Sequence, residues 1–240
     1  MNPTRRRPVV TWVLIALNVG VWLYQWSLNA YQIGAITPEL ESFVREWGAV
    51  PYHLTHGGKA GIYLTPLASM FMHGGWLHLI GNMWFLHVFG DNIEDELGHA
   101  RYLLFYLVAG LGAVALQVAI DPGSTTPMVG ASGAIAGILG GYMMLHPRAR
   151  VLTLVPIVFF VQFVELPAFL FLFVWFGLQL LQAFVSLNAT EPSVGGVAFF
   201  AHVGGFVVGL LLVRLLRLPP SQRGPIEPEL RRAAEWRRGY

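Results

Sequence analysis

Three groups of polar residues interrupt otherwise uncharged stretches of this chain, and each has a spacing that could support chemistry. In the first, Met128-Val-Gly130-Ala-Ser132-Gly133, a serine opens a helical stretch whose glycines Gly133, Gly137 and Gly141 recur every four residues and share one face. That serine is either an N-cap on a tightly packed helix or a nucleophile at the positive end of a helix dipole. The soluble-hydrolase elbow Gly-x-Ser-x-Gly does not fit, because Ala134 stands at its last position and no strand precedes it. The second group is Ala201-His202-Val-Gly-Gly205, continued by Gly209, in which Ala201, Gly205 and Gly209 form another small-residue face. Two such faces can pack backbone to backbone. That packing would bring Ser132 within reach of His202, and a serine hydrogen-bonded to a neutral imidazole is an activated nucleophile. Taken alone, a histidine at a span end such as His202 is more often interfacial than catalytic. The third group contains His73, His78 and Asn82. His78 and Asn82 lie one helical turn apart on one face. They fit three roles: interhelical polar contacts, a metal site using His73 and His78, or donors aimed at the oxyanion of an acyl-transfer intermediate.

These residues sit on elements that composition identifies. Of 240 residues, 12% are charged and 55% hydrophobic, against roughly 25% charged in an ordinary soluble domain. The mean hydropathy is +0.57. Uncharged stretches run over 9–38, 60–90, 102–120, 122–147, 166–190 and 192–213. Each can hold a membrane helix, since about 20 apolar residues cross a ~30 Å hydrocarbon core. The chain therefore reads as an all-α, polytopic membrane protein with six spans, near 9–28, 76–97, 102–120, 132–146, 167–187 and 200–217. Residues 1–8 form a cytoplasmic N-terminus, 9–217 the six-span domain with an outside loop over 29–75, and 218–240 a cytoplasmic tail. On this assignment Arg5, Arg6, Arg7, Arg101, Arg148, Arg150 and the seven arginines from Arg214 to Arg238 lie on the cytoplasmic side, against Arg45 and Lys59 outside. That is the asymmetry of the positive-inside rule. The basic balance is thus an orientation signal and not a nucleic-acid footprint. The apolar run 151–164 is too short for an upright span and reads as an interfacial or partly inserted segment. The chain has no cysteine, which excludes disulfides, thiolate metal sites and cysteine nucleophiles.

Ser132 in Gly-Ala-Ser-Gly, His202 in Ala-His-x-Gly-Gly, and His78-x-x-x-Asn82 upstream each lie near the outer end of a different span. Together with Phe71-x-His73 and the run Phe89-Gly90-x-x-Ile-Glu94-Asp-x-Leu-Gly98, they make the chain resemble the rhomboid family of intramembrane serine proteases. The resemblance implies a six-helix bundle and peptide-bond hydrolysis by a Ser/His dyad. By motif position, Ser132 is implied as nucleophile and His202 as general base and then acid. His78, Asn82 and the Ser132 backbone N–H are implied as the oxyanion hole. Gly130 and Gly133 are implied to permit close approach, His73 to order the mouth of the site, and Glu94 to tie down the base of the second span. The implied substrates are transmembrane proteins cut near the outer face. No cofactor, metal or nucleic acid enters this reading, the bilayer is the remaining partner, and a bacterial plasma membrane is the expected location.

Two positions depart from the family pattern. Ala136 stands where some members carry an aromatic residue that supports the histidine ring, so something else must orient His202. Thr65-Pro66-Leu67 stands where a Trp-Arg pair would precede the second span. The rival classes are a non-catalytic rhomboid-like protein that binds membrane clients, and a transporter or channel. The first would be expected to lose Ser132 or His202, and the second to show an intramembrane acid or repeat symmetry.

Overall fold

The computed structural model describes residues 4–29, 36–57, 61–157, 160–187 and 198–222. Six long helices dominate it: α1 (Val9–Leu28), α5 (Trp76–Leu97), α6 (His99–Ile120), α7 (Ser132–Leu145), α8 (Ala168–Leu187) and α9 (Phe199–Leu216). Between α1 and α5 lie the short helices α2 (Pro38–Trp47), α3 (Pro51–His56) and α4 (Thr65–Ala68), so the segment expected as an outside loop is partly helical. Among the described residues four helices, α1, α6, α8 and α9, are long and apolar enough to cross a membrane. The chain is a multi-pass helical membrane protein. Helix α5 carries Asp91, Glu94, Asp95 and Glu96 at its C-terminal end, and α7 spans only 14 residues, or about 21 Å.

Glycine decides where α7 sits. Every residue from Gly133 to Tyr142 is buried, and α7 touches α5, α6, α8 and α9. A methyl group at Gly205 would collide with the carbonyl oxygen of Gly133, and one at Gly209 with that of Gly137. Ala109 and Ala113 of α6 press on Gly137 and Gly133 from the other side. The two small-residue faces therefore meet backbone to backbone, as interhelical contacts in an apolar solvent favour.

The buried carboxylates of α5 are all satisfied by the start of the chain or its end. Glu94 accepts from the backbone N–H groups of Val10 and Thr11 at 2.8 Å each, from the Thr11 hydroxyl at 2.7 Å, and pairs with His99 at 2.6 Å. A carboxylate thus caps the first turn of α1, where N–H groups lack intrahelical partners. Asp95 accepts from the N–H groups of Arg5 and Arg6, and Glu96 accepts from the Arg217 guanidinium at 2.7 Å. Gly98, at φ +75°, lets α5 reverse directly into α6.

One element corrects the all-helical expectation. The run after α7 forms an antiparallel hairpin of β1 (Arg150–Ile157) and β2 (Phe160–Pro167), with Leu152 opposite Glu165 and Leu154 opposite Phe163. Val151, Thr153, Val155 and Val164 are β-branched, and such residues fit a pleated strand better than a helix. A short apolar run has no period that separates the two. Leu152, Leu154 and Phe163 are exposed on one face. The tail beyond Gln222 lies outside the described residues.

Candidate active site

Ser132 is the first residue of α7, so its own N–H and those of Gly133 and Ala134 have no partner within the helix. The loop leading to it is held to the segment between α1 and α5 at three points. Ala49 and Met128 exchange backbone hydrogen bonds, Tyr52 N–H donates to the Ser124 carbonyl, and Gly130 N–H donates to the Ser69 carbonyl at 2.9 Å. The serine is thereby fixed from both sides.

His202 lies one turn into α9, and its Nε2 is 2.8 Å from Ser132 Oγ. The two residues are 70 positions apart, and the glycine contact between α7 and α9 closes that distance. The other ring nitrogen, Nδ1, is 2.7 Å from Oε1 of Gln179 on α8. Trp175 and Phe199 flank the ring at centroid distances of 6.2 and 6.4 Å. Ala136 offers no ring to His202, and Gln179 and Trp175 of α8 and Phe199 of α9 are its neighbours instead. Gln179 was not marked in the sequence: it is one of two glutamines, with Gln182, in an apolar helix and has no spacing relation to the motifs, and only the packing of α8 on α9 brings it to the histidine.

His78 and Asn82 sit on α5, which packs against α7. Gly74 N–H donates to His78 Nδ1 at 3.4 Å, so the ring proton belongs on Nε2. That nitrogen faces Gly130. A Cβ at Gly130 would lie 2.8 Å from His78 Nε2 and 3.5 Å from Ser132 Oγ, so a side chain there would stand between the two. Gly130 also has φ +132°, a conformation that L side chains rarely adopt. Asn82 is buried, and its Nδ2 has no hydrogen-bond partner among the described residues, an arrangement that favours a ligand acceptor.

His73 is buried in the turn before α5, and its ring meets that of His78 edge-on at 5.2 Å. Burial, with His78 adding to it, lowers its pKa to about 3 and keeps the ring neutral. Gln25 of α1 holds the His73 backbone through both its groups, with Oε1 accepting from the N–H at 2.9 Å and Nε2 donating to the carbonyl at 3.1 Å. Gly133 lies under Ser132 in the contact with α6 and α9, whereas Glu94 is far along α5, at the N-terminus of α1. Of the residues expected at the site, Ser132, His202, His78 and Gly130 converge directly, and His73 backs His78. Glu94 belongs to the opposite end of α5. Among the described residues no three metal-ligating side chains converge, which leaves the His73–His78 pair without a third ligand.

A hydrogen-bonded serine and imidazole, held at the end of a short glycine-packed helix inside a multi-pass helical bundle, define a membrane protein with a polar site built among its helices. Residues 61–219 match the Rhomboid domain, and the chain belongs to the rhomboid family. It is similar to the chloroplastic Rhomboid-like protein 11 of Arabidopsis thaliana, 26% identical over 223 residues covering 92% of this chain and 69% of that one. It is also similar to the mitochondrial RHOMBOID-like protein 6 of the same plant, 29% identical over 155 residues, or 65% of this chain and 44% of that one. Bacillus subtilis YdcA, which carries a rhomboid protease name, is 31% identical over 146 residues, or 59% of this chain and 64% of that one. The matched parts thus range from under half to just over two thirds of these relatives' lengths.

Proposed function

We propose that the chain is an intramembrane serine endopeptidase that cleaves transmembrane proteins near the outer membrane face. The observation that carries this reading is the 2.8 Å contact between Ser132 Oγ and His202 Nε2. In the proposed reaction, His202 Nε2 takes the Ser132 proton as Oγ attacks the scissile carbonyl carbon. The resulting oxyanion accepts hydrogen bonds from His78 Nε2–H, Asn82 Nδ2–H and the Ser132 N–H. His202 then returns the proton to the leaving amine nitrogen, which breaks the peptide bond and leaves an acyl ester on Ser132. Water, deprotonated by His202, hydrolyses that ester and regenerates both side chains. Gly130 and Gly133 keep the approach to Ser132 open, His73 supports His78, and Glu94 secures α1 to α5 away from the chemistry.

The proposal includes six spans, with α5 and α7 joining the four helices of full length and apolarity. The excess of arginines on one side supports cytoplasmic N- and C-termini, which turns the Ser132 end of α7 outward. A bacterial plasma membrane is the proposed location. Among the relatives, one is from the bacterium Bacillus subtilis, and the names of the two plant relatives place those proteins in chloroplasts and mitochondria. The test is cleavage of a single-span substrate in liposomes by wild type, Ser132→Ala and His202→Ala. Both variants are expected to lose cleavage, and undiminished cleavage by either overturns the dyad.

A further inference from the structure

A general base must present an unprotonated nitrogen to its nucleophile, and a neutral imidazole carries one proton that can sit on either nitrogen. For His202 to accept from Ser132 at Nε2, that proton has to reside on Nδ1. Nδ1 is 2.7 Å from Gln179 Oε1, a carboxamide oxygen that can only accept. The bond therefore holds the proton on Nδ1 and leaves the Nε2 lone pair facing Ser132.

Gln179 reaches this point because of how α8 lies on α9. Trp175 and Phe176, one turn earlier on α8, pack on His202 and Phe206, with Phe176 and Phe206 stacked at 4.4 Å and Trp175 and Phe206 at 6.1 Å. Trp175, Phe176 and Gln179 thus form one face of α8. The opposite side, with Phe173, Leu181 and Phe184, is exposed. The ring contacts set the depth at which α8 docks, and that depth sets the Gln179–His202 distance.

We infer that Gln179 is the positioning residue of the Ser132–His202 pair: it selects the basic tautomer of His202, so the site is complete only while α8 is docked on α9. This inference rests on the serine-protease reading above. An amide orients the ring without a full negative charge to stabilise the imidazolium. A carboxylate in its place would do both, which separates a positioning role from a packing role.

The experiment uses the full chain in detergent micelles, with Gln179→Leu, which keeps the volume and removes the acceptor, and Gln179→Glu, which keeps the acceptor and adds charge. Labelling of Ser132 by a fluorophosphonate is followed from pH 5 to 9, kcat and KM are measured on a single-span substrate, and the His202 tautomer is read from 15N imidazole spectra. Gln179→Leu is expected to label about 100-fold more slowly at every pH, at the lower end of general-base effects, with KM within about twofold and without the Nδ1–H form. Gln179→Glu is expected to recover labelling at high pH, with its acid limb moved upward by about one pH unit. Wild-type labelling and an unshifted pH profile in both variants overturn the role of Gln179. If wild type itself does not label, the nucleophile assignment falls, and the spectra still decide Gln179: Nδ1–H retained in Gln179→Leu overturns the inference, and its loss supports it.

Discussion

Replacing Gly205 by alanine tests whether the glycine contact between α7 and α9 sets the distance between Ser132 and His202. Gly205 lies three residues after His202 on α9, and a Cβ there would overlap the carbonyl oxygen of Gly133, the residue after Ser132. The obstacle is backbone, so no rotamer change relieves it. Ordinary contact distances of about 3.5 Å require the helices to part by roughly 1 Å or more. Overpacking of this kind costs about 1–3 kcal/mol of stability. A displacement of about 1 Å between reacting groups costs about 100-fold in rate. Gly205→Ala is therefore expected to remain helical, to unfold at lower temperature, and to lose about two orders of magnitude in both fluorophosphonate labelling and substrate cleavage. The control is Gly177→Ala on α8, where nothing lies within 4 Å of the added methyl. That change should gain up to about 1 kcal/mol from helix propensity and leave the rates unchanged. Wild-type labelling by Gly205→Ala would refute the reasoning, because the dyad would then tolerate a separation the geometry forbids.

Asn82→Ala should lower kcat by about 10²–10³-fold with KM little changed; an effect confined to KM in steady-state cleavage would remove Asn82 from the oxyanion site. Glu94→Ala leaves the Val10 and Thr11 donors without their acceptor and should cost on the order of 3 kcal/mol in chemical unfolding. Its folded fraction should still label at Ser132 within a few-fold of wild type, and a selective loss of labelling would place Glu94 nearer the chemistry than its position indicates. With the His73 pKa lowered to about 3 from 6.5, the unfolded chain takes up a proton that the folded chain refuses, so stability is lost as pH falls from about 6.5 towards 3. His73→Gln should flatten that part of the stability curve, and an unchanged slope would show that another group is responsible.

The helices were the most legible part of the chain because their signal is local. Val9–Leu28 and Trp76–Leu97 are bounded by Arg7, Pro8, Gly75 and Gly98, and long uncharged stretches leave few other readings. The hairpin at 150–167 was not legible as strands, since a short run apolar on both faces has no distinguishing period. The site divided in the same way. Ser132, His202, His78 and Asn82 carried motif spacing, whereas Gln179 lay in an apolar helix, three residues before Gln182, with no motif to single it out.

Sequence alone determined that this is a multi-pass membrane protein, because the distribution of its 28 charged residues is a property of the chain itself, and the motifs around Ser132, His202, His78 and Asn82 made it resemble the rhomboid family. The tertiary structure decided the rest: the 2.8 Å approach of His202 to Ser132, the approach of Gly130 to His78, and the replacement of a missing ring at Ala136 by Gln179 and Trp175. Each of these is a distance between atoms on different segments. Such distances depend on how closely backbones approach, which the glycines permit but only the packed bundle specifies.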